Sequence, residues 1–121
     1  MSFEDSVRIR HLLDAAIHAT QFMAGRSLED VRSDPMLLFA LIRCLEVIGE
    51  AAGDLSSGCR ANAPSIPWSS MIAMRNRLIH GYFDVDPEIV WRTVMDRLPG
   101  LIPQLQDLLR SCEETLLQPS D

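Results

Sequence analysis

The sequence contains no lysine, so all 11 of its cationic residues are arginine and every cation it can offer a phosphate or carboxylate is a planar, bidentate donor. Tyrosine occurs once, at Tyr82, and cysteine three times. Cys44, Cys59 and Cys112 are odd in number and never spaced as a CxxC pair, which excludes a disulfide framework and a zinc knuckle and predicts reduced thiols in a cytoplasm. No apolar run reaches the roughly 18 to 20 residues that span a bilayer, so no membrane is expected as a partner. The first residues, MSFEDSVRIRHLL, are charged from the fourth onward and lack the basic, apolar and small-residue order of an export signal. There is no HxxxH, no Glu-x-x-His pair and no clustered carboxylates, so neither a metal nor a cofactor is expected.

What is present is one domain's worth of ordinary globular sequence, 121 residues that are 47% hydrophobic and 23% charged, expected to form a single domain over 1–121. Its net charge of -6 should repel nucleic acid, but the charge is unevenly spread. Residues 55–83 hold Arg60, Arg75 and Arg77 and no acid, so that window carries +3 and the remainder -9. An anion-binding site is expected inside the window.

Apolar spacing reads as helical nearly throughout. Ile9, Leu12, Leu13, Ala16, Ala19 and Met23 predict a first helix over roughly 5–24, stopped by Gly25. Ser27-Leu28-Glu29-Asp30 has the form of a capping box, but Asp34-Pro35 is the stronger start signal, and a second helix is predicted over about 35–56. That helix is apolar around most of its circumference, with Arg43, Glu46, Glu50 and Asp54 as one narrow polar stripe, so it should be buried on more than one side. A third helix should run from Pro67 or Trp68 to Gly81. Asp86-Pro87-Glu88 opens a fourth, to about Leu98, and a last helix follows Pro99-Gly100 with Leu101, Leu105, Leu108, Leu109, Cys112 and Leu116. No segment alternates long enough to be a strand. The expected fold is all-α, an antiparallel bundle of four to five helices. Trp68, Trp91 and Phe22 are expected as packing residues, and His11 and His18 as surface histidines.

The end of the third helix concentrates polar groups in Arg75-Asn76-Arg77-Leu78-Ile79-His80-Gly81-Tyr82. Asn76 and His80, at i and i+4, share a face, whereas Arg75 and His80 stand roughly 140 degrees apart on an ideal helix. Two copies of this segment across a twofold axis would gather two arginines and two histidines around one cleft, so a homodimer is expected. Blander readings stand beside this one: His80 as a C-cap histidine, Arg75 as an ion-pair partner of Glu46 or Glu50, Arg77 as phosphate-tracking or plain surface charge, and Glu46, Glu50 and Asp54 as either cleft lining or a solvated stripe.

Arg75, Asn76 and His80 match the Arg-x4-His signature of the HEPN superfamily, and with Tyr82 the segment resembles the Arg-x4-His-x-Tyr form of the HepT-type toxins. Leu45-Glu46-Val47-Ile48-Gly49-Glu50-Ala51-Ala52, Ile66-Pro67-Trp68 and Val90-Trp91 also resemble that family's flanking segments, and the likeness covers roughly residues 5 to 110. The resemblance implies an all-helical homodimer acting as a metal-independent ribonuclease toxin on RNA. It further implies a cognate MntA-type nucleotidyltransferase antitoxin that AMPylates Tyr82. In that chemistry His80 is the base, Arg75 the phosphate clamp and Asn76 the orienter of the imidazole or a phosphate ligand. The alternative is a non-catalytic HEPN protein that binds nucleotides or docks substrate for a nucleotidyltransferase.

Overall fold

A computed structural model describes residues 1–81 and 84–118. Its elements are α1 (Phe3–Met23), α2 (Leu28–Ser33), α3 (Pro35–Asp54), α4 (Ser57–Ala61), α5 (Trp68–His80), α6 (Pro87–Asp96) and α7 (Leu98–Leu117). The described residues contain no strand, and the fold is all-α. No helix among them is long and apolar enough to cross a membrane.

Local chemistry sets the helix starts. Ser2 caps α1 through a reciprocal box in which its Oγ accepts from the Asp5 amide at 3.1 Å and Asp5 accepts from the Ser2 amide at 3.2 Å. Because that box lies ahead of the apolar repeat, α1 begins at Phe3 rather than residue 5. Ser27 and Asp30 form the same box and open α2, while the Asp34 side chain accepts from the amides of Met36 and Leu37 and opens α3 behind Pro35. Both start signals are therefore used, and with α4, capped by Ser56, the helices among the described residues number seven rather than four or five. Helices of six and five residues hold too few turns to show an apolar period, which is why spacing alone passes over them. At the other end α7 takes Pro99 and Gly100 into its first turn instead of starting after them. Proline costs nothing there, since the first amides of a helix have no internal acceptor.

α3 is the centre of the bundle, packed against α1 on one side and α5 on the other, with α2 and α6 also touching it. Leu37, Leu41, Cys44, Leu45, Ile48, Gly49, Ala51 and Ala52 are all buried, as a helix apolar on several sides requires. α7 packs on α1 with Leu101, Leu105, Leu108, Leu109 and Cys112 inward, while Leu116 remains 42% exposed. α5 leans chiefly on α3 alone, which leaves both of its flanks open for other work.

One buried carboxylate ties these pieces together. Asp5, 1% exposed, accepts from the Ser56 amide at 2.9 Å and the Ser56 hydroxyl at 2.7 Å, joining the start of α1 to the turn between α3 and α4. Burial pushes its carboxyl up, but the hydrogen bonds from Ser56 and Ser2 outweigh that and hold it below the usual carboxylate value.

Candidate active site

α5 is anchored at its start by Trp68, buried, whose Nε1 donates to the carbonyls of Arg60 at 3.1 Å and Ala63 at 3.0 Å. Leu78 is buried near its end, and Met71, Ile72 and Met74 pack on the core between them. This fixes the rotation of the helix and therefore where its polar residues point.

Arg75 faces α3. A β-carbon placed on Gly49 would stand 2.1 Å from the Arg75 Cβ and 2.8 Å from the Met71 carbonyl oxygen, so the two helices touch at that glycine and the arginine stem lies across it. The guanidinium then reaches the surface, where Nη1 donates to the Asn76 Oδ1 at 3.0 Å and Nη2 lies 3.8 Å from the Glu50 Oε1. The latter separation is an ion pair without a hydrogen bond. Nε is buried and donates to nothing among the described residues. Among the described residues one of its five N–H donors is engaged, and a buried donor without an acceptor costs about 1–3 kcal/mol. The fork is thus held in place by packing and charge while most of its donors stay free for an anionic ligand.

Glu50, not Glu46, is the carboxylate beside Arg75, because Glu46 pairs with Arg43 at 3.8 Å. Glu50 and Asp54 also line a cavity of about 460 Å³ between α1 and α3, where Arg8 and His11 form part of the opposite wall. His11 and His18 are exposed. Phe22 departs from its expected packing role: it is 43% exposed and its ring stacks on His18 with centroids 6.1 Å apart. Met23, the next residue, still turns inward and is buried, so Phe22, about 100 degrees round the helix from it, falls on the flank that carries the exposed His18. Trp91 is half-buried against the core.

Asn76 and His80 are exposed, one turn apart on α5. Asn76 is engaged by Arg75 rather than by His80, and the imidazole makes no hydrogen bond to the closing carbonyls of α5 among the described residues. The Gly81 amide caps that end instead, donating to the Arg77 carbonyl at 2.9 Å. Arg77 is carried to the other flank of α5, where it lines a separate cavity with Arg97. Tyr82 lies outside the described residues. No group of three or more His, Cys, Asp or Glu side chains among the described residues is arranged to hold a metal ion.

Gly49 and Arg97 are the site-shaping residues that spacing does not single out. Gly49 did leave a signal: a glycine inside a helix costs about 1 kcal/mol against alanine, and a close approach is the usual reason for one.

Over 80 residues the chain is 41% identical to "Probable ribonuclease HepT" of Thermococcus cleftensis, covering 66% of this chain and 73% of that one. Over 102 residues it is 35% identical to "Putative RNase TTE0752" of Caldanaerobacter subterraneus subsp. tengcongensis, covering 84% of this chain and 91% of that one. No solved structure matches the chain. Residues 12–108 match the family described as ribonuclease HepT-like, a span that includes α3, α5 and the whole Arg75 to His80 segment, and the chain belongs to that family.

Proposed function

We propose that the protein is the ribonuclease toxin of a toxin-antitoxin pair, a single HepT-type domain that cleaves RNA without a metal ion. The observation that carries the reading is the Arg75 fork, fixed over Gly49 with most of its donors unengaged among the described residues and joined to Asn76, which stands one helix turn from an exposed His80. His80 takes the proton of a ribose 2'-hydroxyl, whose oxygen attacks the adjacent phosphorus. The 5'-oxygen of the next nucleotide leaves, taking a proton from solvent water, and gives a 2',3'-cyclic phosphate and a 5'-hydroxyl, while the proton held by His80 returns to solvent. Arg75 donates to the phosphate oxygens as charge grows on them. Asn76 braces the fork through its Oδ1, with its NH₂ remaining for a phosphate oxygen.

The homodimer belongs to the same proposal. Met36, 81% exposed, and Phe39, 66% exposed, stand on the α3 stripe that continues through Arg43, Glu46 and Glu50 to Arg75. An apolar patch in line with the site suits a second copy whose own site borders the same groove. The cytoplasm is the proposed compartment, and an MntA-type nucleotidyltransferase that AMPylates Tyr82 the proposed antitoxin.

The test is incubation of purified protein with RNA in EDTA, followed by end-group analysis. Cyclic phosphate ends that vanish in Arg75→Ala and His80→Ala support the reading. Intact RNA overturns it in favour of a non-catalytic partner of a nucleotidyltransferase.

A further inference from the structure

The flank of α5 opposite Arg75 bounds a cavity of about 490 Å³, floored by α3 and closed on its far side by α6 and the first turns of α7. Its floor is apolar and buried, made of Leu45, Ile48, Leu98 and Leu101, with the half-buried Met71 and Met74 on the α5 wall. The rim carries two exposed arginines, Arg77 and Arg97. Among the described residues seven of the 11 arginines have a carboxylate within 4 Å, and Arg77 and Arg97 are, with Arg8 and Arg60, the four that have none, although Asp96 lines the same cavity. A volume of this size with an apolar floor and a few polar groups at its edge is that of a small-molecule-sized site.

We propose that this cavity is a second nucleotide subsite, holding one unpaired base of single-stranded RNA on its floor with flanking phosphates on Arg77 and Arg97. The inference rests on the ribonuclease reading of the Arg75 and His80 site. Arg75 and Arg77 are two residues apart, about 200 degrees around the helix, so they serve opposite flanks of α5. A strand held at Arg75 and His80 passes from one flank to the other across the end of that helix. The acid-free window covers the α5 side of this path, at Arg75 and Arg77, while Arg97 supplies the cation on the opposite rim. Methionine is suited to the wall because its flexible, polarisable thioether adapts to the face of any base. The subsite therefore supplies affinity without demanding a sequence.

The experiment uses a 2'-deoxy, uncleavable oligonucleotide and a series in which one position at a time is abasic. In the wild-type protein one position off the scissile phosphate should weaken binding about 10-fold when its base is removed, the scale of losing one stacked base. Ala73→Trp, at an exposed position of the cavity wall, should fill the mouth and abolish that position's penalty; its circular dichroism reports whether it folds. The double variant Arg77→Ala, Arg97→Ala provides a second arm. It should raise Kd about 10-fold and flatten the logarithmic salt dependence by about 1.4, at 0.7 for each single-strand phosphate released. A protein that cleaves RNA but shows no abasic-sensitive position, or keeps the same penalty in Ala73→Trp, overturns the subsite and leaves the ribonuclease reading intact. Loss of nucleotidyltransferase binding in Ala73→Trp, with RNA affinity unchanged, assigns the cavity to a protein instead. A wild-type protein that neither binds nor cleaves RNA overturns both.

Discussion

The Arg75 side chain rests directly on Gly49, at a distance that leaves no room for a methyl group between them: a β-carbon there would meet the Arg75 Cβ at 2.1 Å and the Met71 carbonyl at 2.8 Å. Two of the three nearest atoms belong to the arginine and the third is backbone, so nothing can swing aside cheaply. α3 would have to part from α5.

Gly49→Ala is accordingly expected to cost about 1–3 kcal/mol by overpacking and to displace the Arg75 fork. Misplacing such a group by about 1 Å loses on the order of 100-fold in rate. Thermal unfolding and single-turnover RNA cleavage measure the two effects, and a folded alanine variant with wild-type turnover would refute the link between the helix crossing and the site.

Arg75→Ala and His80→Ala should each lower cleavage by about 100-fold or more. Neither should shift the melting temperature much, because His80 is exposed and the Arg75 to Glu50 pair is a half-exposed contact at 3.8 Å, of the kind that contributes little to stability. Arg75→Lys should not rescue activity, since a single ammonium cannot reproduce the fork. Unfolding that accompanies either loss would show these residues to be structural.

Asp5 predicts a pH effect. Its carboxyl is held below the ordinary value in the folded state, so its contribution is fully present above the unfolded value of about 3.9 and is lost as pH falls through the lower, folded value. Asp5→Asn turns one acceptor into a donor facing the Ser2 and Ser56 donors, at a cost of about 1–3 kcal/mol near neutrality. Urea melts from pH 7 down to pH 3 should show the gap between wild type and variant narrowing below pH 4. A gap that stays constant would sink the assignment.

The cysteines should be inert in the folded protein. Cys44, Cys59 and Cys112 are buried, and burial, with Asp5 and Cys112 adding to it, pushes the Cys59 thiol up to about 11. The reactive thiolate is therefore scarce near pH 8. Intact mass after iodoacetamide should show no adduct on Cys59 in native buffer and full labelling in urea.

Control is expected at Tyr82. An AMP on its phenol adds negative charge and bulk two residues from His80, where RNA phosphate must approach, and its phosphate can occupy the Arg75 fork. Co-expression with the cognate nucleotidyltransferase should add one AMP to the wild type and none to Tyr82→Phe, and only the wild type should be silenced. A neutralised complex with unmodified Tyr82 would leave occlusion by the partner as the mechanism.

Much of this was written into the linear chain. Periodicity and proline-headed N-caps located the five longer helices, the apolar girth of α3 put it at the centre, and Arg75, Asn76, His80 and Tyr82 with their flanking motifs pointed to the family that the comparisons show. These signals are local: a helix period and a cap are read within one or two turns. The tertiary structure decided what depends on distant segments meeting. It selected Glu50 over Glu46 as the neighbour of Arg75, sent Arg77 to a cavity shared with Arg97, left Phe22 at the surface, and joined Asp5 to Ser56 across 51 positions. It also gave Gly49 its purpose. Where two helices cross is set by how their side chains interdigitate along the whole interface, a property of the pair that neither helix carries alone.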